Sequence, residues 1–98
     1  MARPERIELE VPPAGQLGRP EHVFRLRDKT VQVSGVFTGA LQLEGSIDGF
    51  AFSAVSSPIT EPGFVTLGLA IAYLRVHTLE LTAGAAAAVI AGFDFRAM

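Results

Sequence analysis

The stretch that most constrains the fold is residues 41–55, where two runs of alternating apolar and polar residues flank an Asp-Gly pair. In the first run, Leu41, Leu43 and Ile47 share one face, which is the period-two pattern of a half-buried strand. Asp48-Gly49 then gives a strong hairpin signal, because glycine adopts positive φ without steric strain. The stretch therefore predicts a central β-hairpin to which the other strands are added.

The rest of the chain repeats short alternating runs separated by turn residues. These runs predict strands in residues 6–11, 22–27, 30–37, 64–69 and 72–81. Residues 85–91 are mostly alanine, which favours helix by intrinsic propensity. Because seven residues make only a marginal isolated helix, we predict a strand there instead. Short strands at this spacing predict an all-β fold, a single compact β-sandwich or jelly-roll-like domain.

Composition limits the classes of function. The 98 residues include no cysteine, so one domain without disulfides or thiolate metal sites is expected. Charged residues are only 18% of the chain, and a small domain this apolar is expected to cover part of its surface with another chain. A net charge of −2 argues against nucleic-acid binding. We expect no membrane span, because the longest uncharged runs near the C-terminus are 13 residues. We also expect no secretory leader, because glutamates interrupt the first apolar run.

The N-terminal residues 1–20 differ from the rest, because they hold four of the six prolines. Proline lacks the N–H that a sheet ladder needs, so we predict an extended arm at 1–20 and a β-sandwich domain at 21–98. The arm is interpreted either as a disordered terminus or as a segment that becomes ordered on a partner. We favour attachment to a partner, since its apolar and basic side chains suit strand addition and ion pairing. The candidate partner-binding residues in the arm are Arg3, Arg6, Ile7, Leu9, Val11, Leu17 and Arg19.

Arg75 is a further candidate partner-binding residue. It is the only basic residue between Lys29 and Arg96 and lies in an otherwise apolar predicted strand. Such an arginine is expected to be hydrogen-bonded, either across the sheet or across a contact between subunits.

No catalytic or metal-binding signature is present. His22 and His77 lack the spacing of a metal-ligand pair, and no serine lies in a nucleophile-elbow motif. Residues 44–49 imitate the first half of a calcium-binding loop, but Val55 stands where such a loop needs a bidentate glutamate. We therefore predict a protein that is not an enzyme and has no cofactor or metal.

Four short segments carry a resemblance to a known class of protein. They are Gly35-Val36-Phe37-Thr38-Gly39, Leu43-Glu44-Gly45-Ser46-Ile47-Asp48-Gly49, Tyr73-Leu74-Arg75-Val76 and Thr82-Ala83-Gly84-Ala85. The pattern spans about residues 30–93 and resembles small virion proteins of tailed bacteriophages, in particular capsid decoration (cement) proteins. The resemblance implies a homotrimer that binds the major capsid protein on the outer surface of the capsid and is made in the bacterial cytoplasm.

A phage tail or fibre-associated module, which recognises carbohydrate in some cases, is the alternative that this resemblance leaves open. Sugar-binding sandwiches usually display exposed aromatic side chains. Here tryptophan is absent, Tyr73 is the only tyrosine, and most of the seven phenylalanines are expected in the core. These observations favour an assembly protein.

Overall fold

The protein is all-β, as the sequence predicts. The computed structural model describes residues 3–94, and no helix occurs among them. The strands are β1 (Arg3–Leu9), β2 (Glu21–His22), β3 (Leu26–Ser46), β4 (Ser53–Ala54), β5 (Gly63–Leu67) and β6 (Tyr73–Asp94).

Two long strands, β3 and β6, form the centre of a single antiparallel sheet. They pair along nearly their whole length, from Leu26 opposite Asp94 to Ser46 opposite Tyr73. At one end β1 adds to β6 and β5 adds to β3, and at the other end β2 adds to β6 and β4 adds to β3. All six strands thus belong to one sheet.

The sheet curls because the two long strands bend in their middle. A straight strand of the length of β3 would span about 70 Å at roughly 3.3 Å per residue. The longest dimension of the molecule is only 43 Å. The register shifts twice near the middle, where Leu79 and Thr82 of β6 have no partner residue on β3. Extra residues of this kind are β-bulges, which bend a strand and increase its twist.

Gly35 and Gly84 allow the two long strands to approach closely beside this bend. Both have positive φ, at +102° and +78°, where a side chain is strained. A Cβ atom on Gly84 would overlap the carbonyl oxygen of Val36, and one on Gly35 would overlap that of Ala85. The strand pairing at this point therefore depends on glycine.

The curl brings the two halves of the sheet around one core. Inward-facing Val31 and Ile90 come from the first half, and Leu43 and Val76 come from the second. The full cluster of buried apolar residues is Leu9, Val23, Leu26, Val31, Val33, Leu41, Leu43, Leu67, Ile71, Leu74, Val76, Ala88 and Ile90. The predicted sandwich core is thus enclosed by one curled sheet.

The predicted central hairpin is much smaller than expected. Residues 41–46 do form a strand, but their main partner is β6, and β4 contributes only Ser53 and Ala54. The Asp48-Gly49 turn is present, and Gly49 has φ +84°. Ile47 and Phe50 are exposed, so the assignment of Ile47 to the buried face was wrong. The strand ends at Ser46, and the alternation of faces ends with it.

Residues 85–91 are strand, as predicted, and lie within β6, where residues 88–91 are paired with β1 on one side and β3 on the other. β1 is an edge strand of the same sheet, so residues 3–9 pack on the domain rather than extending away from it. Farther along, the N–H groups of Gly15 and Gly18 donate to the carbonyls of Thr78 and Val76 at 2.7 Å. The segment assigned to an arm therefore follows the outer edge of β6.

Candidate interaction surface

The middle of the two long strands forms an exposed two-stranded ribbon. We call residues 34–40 of β3 and 79–87 of β6 the central ribbon. Among residues 3–94, no third strand pairs with either side of it. Its side chains are small or apolar, Val36 is 90% exposed, and Glu80 is its one charged residue.

Apart from its two β-bulges, the central ribbon has few of the features that usually protect an open strand edge. Exposed edges are commonly blunted by charged side chains or proline, since unpaired N–H and C=O groups invite pairing with another chain. The ribbon contains no proline. The alternating pattern gave no sign of this surface, but the absence of charge from Thr30 to Leu43 was available in the sequence. The ribbon is therefore a surface suited to contact with another polypeptide.

Four of the phenylalanines are exposed, contrary to expectation. Phe50 is 90% exposed and Phe64 is 71% exposed, and Phe24 and Phe93 are exposed as well. Phe37 and Phe52 are half-buried, and Phe95 lies outside the described residues. On β5 the reason is clear, because Val65 and Leu67 take the inward positions and leave Phe64 facing solvent. The prediction that most phenylalanines fill the core was wrong.

Arg75 is hydrogen-bonded across the sheet, which is one of the two arrangements predicted for it. Its Nε and Nη2 atoms lie 2.9 and 2.8 Å from Glu44 Oε1, and the two residues are register partners on β6 and β3. His77 Nδ1 lies 3.1 Å from Glu44 Oε2. The guanidinium stacks on the Phe52 ring at 3.8 Å, which holds the loop after the Asp48-Gly49 turn against the sheet.

The calcium-loop-like residues stabilise a turn. Asp48 Oδ1 accepts hydrogen bonds from the backbone N–H groups of Ala51 and Phe50 and from Ser46 Oγ. These bonds, the backbone ones first, lower the pKa of Asp48 to about 2. Within residues 3–94, no group of three or more acidic or histidine side chains is placed to hold a metal ion.

The predicted partner-binding residues of the N-terminal segment do not form one surface. Leu9 is 5% exposed and lies in the core, and Ile7 and Val11 pack against it. Arg3 and Arg6 are exposed on β1, whereas exposed Leu17 forms an isolated bridge with His77 near the other end of β6. Arg19 is exposed and paired with Glu21 at 3.0 Å.

β1 is fixed to the domain by an ion-pair cluster. The Arg25 guanidinium bonds to the Glu5 carboxylate, and its Nε lies 3.6 Å from Asp94 Oδ2 at the end of β6. Its Nη1 also donates to the carbonyl of His22 at 2.8 Å. Since these side chains are partly buried, they join β1, β2 and β6 more firmly than surface pairs do.

Fold and surface together define a small all-β domain with open edges and an exposed, nearly uncharged ribbon. Residues 3–94 include no helix that is long and apolar enough to span a membrane. No protein-family model matches the chain, and no curated protein matches it.

A solved structure shares this fold. It is described as the crystal structure of SPBc2 prophage-derived protein YomS. The similarity covers 95% of each chain with a TM-score of 0.71, at 12% sequence identity. The two proteins therefore have the same overall fold over nearly their full lengths.

Proposed function

We propose that this protein is a structural component of a phage particle, and that it acts as a capsid decoration protein. It forms a homotrimer on the outer surface of the capsid and binds the major capsid protein. The observation that carries this proposal is the central ribbon, which offers open strand edges and apolar side chains to another chain. The shared fold with a prophage-derived protein supports the phage origin.

The four segments of the virion-protein pattern are joined in space, which also supports the proposal. Within the central ribbon, Val36 pairs with Ala85 and Thr38 pairs with Ala83. Beyond the bend, Leu43 pairs with Val76 and Gly45 pairs with Leu74. The resemblance therefore concerns one continuous structural unit, which consists of the paired strands β3 and β6 and the Asp48-Gly49 turn after β3.

A decoration protein of this kind works by multivalent contact. One copy buries little surface on the shell and binds weakly, whereas three linked copies gain through effective concentration. Apolar contact contributes about 25 cal/mol per Å² of buried surface, so a ribbon with a single charge suits this task. No chemical step on a substrate is involved, and no cofactor is needed.

The alternative function is a tail or fibre-associated binding module, possessing a carbohydrate site. The exposed rings of Phe24, Phe50 and Phe64 favour this alternative, because aromatic faces commonly stack on sugars. The rings lie on separate elements, namely the segment before β3, the loop before β4, and β5. A continuous apolar ribbon fits a protein partner better, so capsid decoration is the preferred function.

The proposal is tested by co-sedimentation with phage particles that lack this protein, followed by electron microscopy. The wild-type protein is expected to decorate heads. Val36→Glu places a charge in the central ribbon and should abolish decoration. Thr66→Glu is the matched control, since Thr66 is also exposed on a strand but lies outside the ribbon, and it should bind as the wild type does. Undiminished decoration by Val36→Glu would contradict the role of the ribbon, and binding to tails alone would support the alternative.

A further inference from the structure

β1 has one open edge that carries two exposed charges of opposite sign. Its other edge is paired with β6 over seven residues. Arg6 and Glu8 are exposed and lie two residues apart, so their side chains are on the same face. Their register partners on β6 are Ala91 and Val89, which are uncharged. Within residues 3–94, neither charge takes part in an ion pair or side-chain hydrogen bond.

Pro4 indicates which backbone groups face the open edge. A proline within a sheet is placed with its nitrogen toward the unpaired side, because it has no N–H to donate to the neighbouring strand. In an antiparallel ladder, the backbone groups of successive residues point alternately to the two sides. Arg6 and Glu8 therefore direct their N–H and C=O groups toward the open edge, as Pro4 directs its carbonyl.

From these two observations, we propose that β1 is a self-recognition edge. Two copies of the chain pair through β1 in antiparallel orientation, about a twofold axis beside Ile7. Arg6 of each copy then lies opposite Glu8 of the other, and Ile7 lies opposite Ile7. Each Arg6–Glu8 pair exchanges two backbone hydrogen bonds and brings opposite charges face to face. The sheet thereby continues from one protomer into the next.

The charges select this register over its neighbours. If the twofold axis lay beside Arg6 instead of Ile7, Arg6 would face Arg6 of the second copy. If the axis lay beside Glu8, Glu8 would face Glu8, and Arg6 would face Glu10, which lies beyond the end of β1 and already accepts a hydrogen bond from the Arg19 N–H. Opposite charges directly across a strand pair are favourable and like charges are unfavourable. Within β1, which ends at Leu9, the order of one basic and one acidic residue is thus self-complementary in a single register.

Charges and proline on an edge also serve to prevent pairing, so the sign pattern decides between the two roles. A protective edge needs charges that repel those on a second copy in every register, whereas Arg6 and Glu8 attract them in one. Pro4 and the Pro12-Pro13 pair limit the ladder to a short stretch. Because the same edge is used by both copies, the contact closes as a dimer and does not extend into a fibre.

This contact is separate from the proposed function and does not depend on it. The dimer uses the open edge of β1, whereas the proposed shell contact uses the central ribbon. If the twofold axis is perpendicular to the threefold axis and intersects it, the two contacts generate a closed hexamer with dihedral symmetry. A change in mass by a factor of two then reports the β1 contact, and a change by a factor of three reports the trimer.

The test is a charge-swap series measured by sedimentation equilibrium at low salt. Arg6→Glu and Glu8→Arg are each expected to halve the mass of the particle. The double variant Arg6→Glu/Glu8→Arg should restore the wild-type mass, as should an equimolar mixture of the two single variants. Thr66→Glu is the control, because it adds a negative charge at an exposed strand position outside β1, and the mass of this variant should not change.

Circular dichroism spectra of all variants should match the wild type, because Arg6 and Glu8 have no charged partners among residues 3–94. The proposal is overturned if the wild-type protein is a monomer or a simple trimer at high concentration. It is also overturned if the single variants keep the wild-type mass, or if neither the double variant nor the mixture restores it. If the wild-type protein is a hexamer and the single variants are trimers, the β1 contact has been lost while the trimer remains, and the proposed function is unaffected.

Discussion

Substitution of Gly84 by alanine should destabilise the domain severely, because two separate effects act at one atom. Gly84 has φ +78°, and holding an L-residue in this region costs about 1–2 kcal/mol. The added Cβ would also overlap the carbonyl oxygen of Val36 and lie 2.9 Å from the Cα of Phe37. These are backbone atoms of the paired strand, so no side-chain rotation relieves the overlap.

The strands must separate locally, and each ladder hydrogen bond lost costs roughly 1 kcal/mol. With the loss of one or two bonds, the total is about 2–4 kcal/mol, which is a large part of the roughly 5–15 kcal/mol that holds a domain folded. For a domain of this size, we expect the melting temperature to fall by about 10–20 °C.

Thermal unfolding followed by circular dichroism, with urea unfolding as a second measurement, checks this value. All variants are compared at one protein concentration, because association raises apparent stability. Gly63→Ala is the matched control, since Gly63 has no positive φ and a Cβ there would have no atom within 4 Å. It should leave the melting temperature unchanged or raise it slightly. A Gly84→Ala protein as stable as the control would refute the close approach of the two strands.

Three further predictions concern the Asp48-Gly49 turn and the ion pair between Arg75 and Glu44. Gly49→Val should lower stability by about 1–2 kcal/mol through strain at φ +84°, and Gly49→Asn should lower it less, because asparagine tolerates this region. Asp48→Asn should lower the melting temperature at pH 7. Since the folded-state pKa of Asp48 is lowered to about 2, this difference should be full above pH 4 and vanish as the pH falls through about 2. Arg75→Met should cost about 1–2 kcal/mol by removing a charged hydrogen-bond partner of Glu44, and Arg75→Lys should not restore the loss, because lysine lacks the planar fork.

Each of these has a result that contradicts it. Equal melting temperatures for the Gly49→Val and wild-type proteins would place the turn elsewhere. A difference between Asp48→Asn and wild type that stays constant down to the lowest pH would mean that the carboxylate charge does not support the turn. Full stability of Arg75→Lys would show that a point charge is enough beside Glu44.

Local sequence patterns predicted those parts of the fold that depend on local physics. Alternation identified most of the strand residues, but it divided the continuous strands β3 and β6 into shorter strands separated by turns. The Asp-Gly pair marked a turn in which Gly49 does have positive φ. The short spacing between Gly84 and Gly92 indicated strand rather than helix for residues 85–91, as found. Arg75 was expected to have a hydrogen-bond partner because an isolated arginine on an apolar strand needs one, and Glu44 provides it.

The remaining features depend on contacts between distant residues. The alternation of residues 41–46 is satisfied equally by a short hairpin and by a ladder to β6, and only the complete fold shows that β6 is the main partner. Alternation also divides a strand into two faces without saying which is buried. On β5, Val65 and Leu67 occupy one face and Phe64 and Thr66 the other, and the alternation alone did not show that the face with Phe64 is exposed. The same limit applies to β1, where Pro4 suggested an arm although an edge strand also tolerates proline.

The two kinds of open edge in this protein should respond to salt in opposite ways. Pairing through β1 depends on exposed Arg6 and Glu8, and such charges are screened over about 8 Å at physiological ionic strength. The central ribbon has a single charge, and contacts through it depend on apolar burial, which screening does not weaken. Increasing sodium chloride should therefore dissociate the proposed β1 contact first and leave ribbon contacts in place. A particle that loses half its mass as salt rises, and then keeps its mass, would have one contact that depends on charge, as proposed for β1, and a second contact that does not. A particle whose mass falls only when Val36 is replaced by glutamate would use the ribbon alone.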